Sequence, residues 1–280
     1  MEKAKYDDRP IGVFDSGLGG LSVVRHLLSQ LPHEDIVYFG DTGRVPYGSR
    51  STQIIRRYAR EDCAFLLGRD VKCIVAACGT VSSVAGDLLD ALPVPATGIV
   101  GPTAAAAVAA TRSGRIGVLG TLTTVNSGSF SQEMRKLRPD VQVTSTACPI
   151  FVPLVENGWI DPDDEVTALT AERYLKDLRA AQVDTAILGC THFPLLAPII
   201  GRELGADVTL IDPGRETAGY VRRMLAADGL LSARETPGSC RFFVTDRPQD
   251  FSRVAEIFLG RAVHEEVETI APEQLPGAAL

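Results

Sequence analysis

The sequence predicts an α/β protein made of two similar open-sheet α/β domains with a pseudo-twofold relation, and an active site in the cleft between them. Three observations lead there. Short apolar runs alternate with longer segments of helical spacing along most of the chain, which is the pattern of parallel strands covered by helices. The pattern starts again near residue 116: Ile11-Gly12-Val13 is matched by Ile116-Gly117-Val118, and the amphipathic stretch 53–67 by 165–178, at offsets of roughly 105 to 112 residues. Each pass also holds an apolar strand that ends in a cysteine followed within two residues by threonine, VKCIVAACGT (71–80) and TAILGCT (185–191).

With 280 residues the chain can form two domains of ordinary size, each with its own core. The expected division is 1–98 plus 212–280 for a discontinuous first domain and 99–211 for the second.

Taken in order, residues 11–14 form a strand that runs into the glycine loop 15–20. Helical spacing follows at Leu21, Val24, Leu27, Leu28 and Leu31. Residues 36–39 form the next strand, and a loop with Pro46-Tyr47-Gly48 precedes a long helix over 52–67. Residues 71–77 are the third strand, after which Thr80 or Ser82 caps a helix reaching 91. Pro93-Val94-Pro95 marks a strand or crossing segment, and Gly101-Pro102-Thr103 opens an alanine-rich helix. The second pass has strand 116–119, a single helix over 125–137, strand 141–146, a loop or helix start at 152–158, helix 165–181 and strand 185–188. Beyond it come strand 208–212, helix 216–227, strand 240–245 returning to the first sheet, and helix 251–259. Residues 271–280 read as a frayed tail.

Composition narrows the function. Asp and Glu (35) outnumber Lys and Arg (28) for a net charge of −7, and the basic residues are scattered, so nucleic acid and anionic membrane surfaces are not expected ligands. The charged start MEKAKYDDRP and the lack of an apolar run of about 18–20 residues predict no signal peptide, no membrane span and a cytoplasmic location. Six cysteines, at 63, 73, 78, 148, 190 and 240, with no CxxC pair, are expected as thiols rather than as a disulfide scaffold.

In open α/β sheets ligands bind beyond the carboxyl ends of strands, where Asp15, Ser16, Cys78, Thr80, Thr121, Cys190, Thr191 and His192 all fall. Cys63 and Cys73 lie inside apolar patterns and read as small core residues. Cys78 and Cys190 instead sit where a strand gives way to a helix N-terminus, a place that favours a thiolate. Gly17-Leu18-Gly19-Gly20 is a poor dinucleotide fingerprint, because the third glycine position is Ser22. It serves tight strand-to-helix packing instead. Cys190-x-His192 lacks a second close Cys/His pair, so no metal is expected, and His192 reads as a proton partner. Glu156, between Pro153-Leu154-Val155 and Asn157-Gly158, is a candidate carboxylate with loop capping as its alternative, and the same holds for Asp15.

Two thiols across a cleft suit the inversion of a stereocentre: a base on one face removes the proton and an acid on the other returns one. FDSGLGGLSV (14–23), YFGDTGRVPYGSRS (38–51), ACGTVSS (77–83), IGVLGT (116–121), ACPIFVPLVENG (147–158) and LGCTHFPLL (188–196) together resemble the glutamate racemases of the cofactor-independent Asp/Glu racemase superfamily. The resemblance covers about residues 10–260. It implies interconversion of L- and D-glutamate without pyridoxal phosphate, supply of D-glutamate for peptidoglycan, and a homodimer. It also implies catalytic Cys78 and Cys190 assisted by Asp15 and His192, with Glu156 in a further acidic motif of the family and counted with the catalytic residues, and substrate held by Asp15-Ser16, Tyr47-Gly48, Gly79-Thr80 and Thr191-His192; Thr121, from its strand-end position, is expected to join them. The alternatives are a racemase of aspartate or another acidic amino acid, or a ligand-binding homologue impaired by one departure. Where the family pattern has Cys-Asn-Thr this chain has Cys78-Gly79-Thr80, and a lost hydrogen bond to a charged group costs about 1.5–3 kcal/mol.

Overall fold

The computed structural model describes residues 6–246 and 248–277. Its strands in chain order are β1 (Ile11–Asp15), β2 (Ile36–Gly40), β3 (Cys73–Ala76), β4 (Ala96–Gly98), β5 (Arg115–Gly120), β6 (Gln142–Ala147), β7 (Thr185–Leu188), β8 (Thr209–Ile211), β9 (Cys240–Val244) and β10 (Val267–Thr269). They form two sheets, one in the order β10-β9-β2-β1-β3-β4 and one in the order β6-β5-β7-β8. Every strand pair is parallel. The segment β2-β1-β3-β4 of the first sheet has the same order as the whole second sheet, and β9 extends the first by pairing with β2.

Helices cover both faces of the sheets, which is why the central strands are apolar throughout rather than alternating. All residues of β1, β2, β3 and β7 are buried. The helix Pro213–Asp228 packs on Leu21–Gln30 of the first unit and on Val100–Ala110 of the second, so it ties the units together. Asp212 anchors its start: one carboxylate oxygen accepts the Gly214 and Arg215 N–H groups at 2.8 and 3.4 Å, and the other meets His26 Nε2 at 3.0 Å.

The structure departs from the sequence expectations where local patterns are weakest. The single helix expected over 125–137 is two, Leu122–Ser127 and Ser129–Leu137, because Gly128 turns the chain with φ at 65°. The helix expected from Thr80 or Ser82 to 91 is likewise two, Gly79–Val84 and Gly86–Asp90, and Cys78 occupies the position before the first of them. The strand expected at Pro93-Val94-Pro95 lies just beyond it, at β4, where the residues again have N–H groups for the ladder. The tail is anchored rather than frayed over its described part: Pro272–Gln274 is a short 3-10 turn and Leu275 is buried against the first core. Among the described residues no helix is long and apolar enough to cross a membrane.

Candidate active site

Both thiols arise from the same construction. After β3 the chain continues one residue to Ala77, whose N–H donates to Phe14 O at 2.9 Å, and the next residue is Cys78. After β7 it continues one residue to Gly189, whose N–H donates to Leu119 O at 2.8 Å, and the next residue is Cys190. Each cysteine therefore stands two residues past a strand, next to the end of the central strand of its sheet. The two side chains lie near enough to a common site that charge on Cys190 bears on Cys78.

Their partners differ. Cys78 is buried, its thiol donates to Ser16 Oγ at 3.4 Å, and burial, then the Asp15 charge, pushes it up to about 12. Asp15 closes β1 and is itself buried, with Oδ2 accepting the Gly17 and Gly20 N–H groups at 3.1 and 3.0 Å. Burial raises the Asp15 carboxyl, and the His192 charge and the backbone donors offset only part of the rise.

On the other side His192 Nδ1 lies 3.7 Å from Cys190 Sγ and 3.3 Å from Thr191 Oγ1. Its Nε2 lies 3.1 Å from Glu156 Oε1. Burial alone would lower the imidazole, but the bonds to Cys190 and Glu156 prevail and His192 is pushed up to about 10. The result is a relay of Glu156, His192 and Cys190 that begins at a half-exposed carboxylate and ends at a buried sulfur. His192 is also fixed edge-on against the Phe258 ring, with centroids 5.0 Å apart. Cys148, which follows β6, is a third buried thiol close enough for Cys190 to influence it, and burial pushes it up.

The hydroxyls expected at strand ends also converge. Thr80 Oγ1 and Thr121 Oγ1 lie 3.1 Å apart across the two units, and Thr121 caps the helix Leu122–Ser127 through the Thr124 N–H at 3.2 Å. Gly48 joins them, its carbonyl accepting from Thr123 Oγ1 at 2.9 Å.

Tyr47 is held by a second cluster. Its side chain is buried away from this group, and the hydroxyl donates to Asp41 and, at 3.3 Å, to Asp62. Arg44 binds the same two carboxylates and Glu61, so the cluster holds the 41–48 loop from beneath, and Gly48 beside it meets Thr123 of the second unit. Tyr47→Phe should leave buried carboxylate oxygens short of a donor and cost about 1–3 kcal/mol of stability, read from urea unfolding midpoints.

Sequence reasoning missed Phe258 and the Arg44 cluster. The first lies on the returning C-terminal segment, and its contact with His192 has no local signature. The second had a clue in Glu61 and Asp62, two acidic residues on the otherwise apolar buried face of the helix Thr52–Leu67.

Two thiols at the carboxyl ends of two parallel sheets, each beside an acid–base partner, are an arrangement suited to moving protons at a carbon centre. Residues 11–221 match the Asp/Glu/hydantoin racemase family model, and the chain belongs to that family. Within it the chain stands with the glutamate racemases, which are isomerases of amino acids. It is 46% identical to the glutamate racemase of Geobacter metallireducens over 90% of this chain and 93% of that one. The crystal structure of a glutamate racemase isoform from Bacillus anthracis superposes with a TM-score of 0.91 at 36% identity, covering 97% of this chain and all (100%) of that one. That of the Francisella tularensis glutamate racemase in complex with D-glutamate gives 0.88 at 36% identity, covering 95% and 98%.

Proposed function

We propose that the chain interconverts L- and D-glutamate by proton transfer at Cα between Cys78 and Cys190. The observation that carries this reading is the pair of thiols at equivalent strand ends with unlike partners. A protonated His192 beside Cys190 favours a thiolate there, while burial and Asp15 keep Cys78 protonated, so one sulfur begins as base and the other as acid. The Cys190 sulfur takes the Cα proton, the electron pair of the broken C–H bond spreads into the α-carboxylate, and the Cys78 S–H delivers its proton to the opposite face. The thiols then hold exchanged protonation states, ready for the reverse reaction.

Ser16, Thr80, Thr121 and Thr191, with the backbone at Gly48 and Gly79, are the groups proposed to hold the substrate and to stabilise charge as it develops on the carboxylate. The Francisella tularensis relative, whose structure holds D-glutamate, supports glutamate as the substrate. We further propose two domains divided at 98/99 and 211/212, and a cytoplasmic homodimer that supplies D-glutamate for peptidoglycan, a state that light scattering reads.

In deuterated water, without added cofactor, each glutamate enantiomer should gain deuterium at Cα as it inverts. Chiral chromatography with mass spectrometry, run in parallel on aspartate, checks both the reaction and its substrate. Inversion with retention of the Cα proton would exclude the mechanism.

A further inference from the structure

Three glycines of the first unit meet the second at the level of the thiols. A Cβ built on Gly19 would run into the Thr191 hydroxyl and lie 2.5 Å from His192 Cε1, and one on Gly48 would lie 3.0 Å from Thr121 Cβ. The third contact is of another kind. A Cβ on Gly79 would lie 2.5 Å from the carbonyl oxygen of Gly189, a backbone atom that no rotamer change can move.

Neither side of this contact can yield locally. Gly189 is held by its N–H bond to Leu119 O at 2.8 Å and is itself pressed on β5, where its own added Cβ would meet that same oxygen at 2.5 Å. The helix Gly79–Val84 is pinned through Ser82, whose hydroxyl donates to Ala76 O at 2.9 Å and accepts the Ile99 N–H at 3.0 Å. Any Cβ at position 79 must therefore push the two units apart, by roughly half an ångström or more. Gly79 follows Cys78 and Gly189 precedes Cys190, so that movement opens the gap between the sulfurs.

We propose that Gly79 is a positioning residue that sets the reach between the two thiols by letting the strand-end turns seat backbone on backbone. This rests on the two-thiol reading above. It also changes the meaning of the departure from Cys-Asn-Thr: an asparagine here is not a missing ligand that could simply be restored, because this arrangement has no room for its Cβ. Thr80 and Thr121, hydrogen-bonded across the units at 3.1 Å, form the wall beside it.

The test compares G79A and G79N with G86A, a glycine at whose added Cβ nothing lies within 4 Å. Both position-79 variants should lose kcat, G79N on the order of 100-fold and G79A less, with KM changed far less, since misplacement by about 1 Å costs proton transfer that much. G86A should match the parent. A rise in kcat/KM for G79N, or full kcat in G79A, overturns the proposal. Crystal structures of the parent and G79A give a readout that needs no turnover: the Cys78–Cys190 sulfur separation should increase in the variant, and an unchanged separation overturns the proposal even if the parent proves not to racemise glutamate.

Discussion

Serine in place of either Cys78 or Cys190 is expected to lower glutamate racemisation by about 100- to 10,000-fold, the usual contribution of a positioned acid or base, with the fold retained. The substitution keeps the size and hydrogen-bonding capacity of the group but removes the ionisation on which the reaction depends. The two losses should not be alike. In Cys78→Ser the Cys190 side keeps its base, with His192 and Glu156 behind it, so any remaining exchange of the Cα proton with solvent should be confined to the enantiomer that presents its C–H to Cys190. In Cys190→Ser it should be confined to the other. Deuterium wash-in measured separately for L- and D-glutamate by proton NMR reads this directly. A general collapse of the site would abolish both exchanges equally, and full racemisation by either variant would remove the two-thiol mechanism.

The complementary losses follow from the fold, much of which could be read in the sequence. Parallel strands buried on both faces are written as short apolar runs, and the residues just past their ends must be ones that tolerate a turn and face solvent or ligand. Asp15, Cys78, Thr121 and Cys190 were visible for that reason, and the recurrence of Cys-x-Thr with Cys-Thr showed that the chain builds the same device twice. What was hidden depends on contacts between distant segments. Tyr47 lies in a motif that suggests contact with substrate, yet its hydroxyl serves a buried carboxylate cluster assembled from the 41–48 loop and the following helix. Phe258 reaches His192 only because β9 and the helix after it return to the first sheet. Gly79 could be seen to depart from a pattern, but the reason is a carbonyl about 110 residues away, and no periodicity encodes that.

The second large effect concerns pH. The folded protein holds the His192 imidazolium up to about 10, against an ordinary value of 6.5, so it favours the protonated form. The sign for stability follows: this contribution is complete below about 6.5 and is lost as pH rises through about 10. The same proton is needed for catalysis, since it supports charge on Cys190, while the Cys78 proton persists to about 12. Racemisation should therefore decline on the alkaline side with an apparent value near 10, set by His192 rather than by Cys78. Glu156→Gln keeps an acceptor for His192 Nε2 but removes the charge, so the alkaline limb should move to lower pH, by up to about one unit given that the carboxylate is half exposed. His192→Asn should remove the limb and lower kcat together. Profiles of kcat/KM between pH 7 and 11, with unfolding midpoints recorded over the same range, separate the two roles: if Glu156 only braced its helix, Glu156→Gln would change the midpoint and leave the limb where it was.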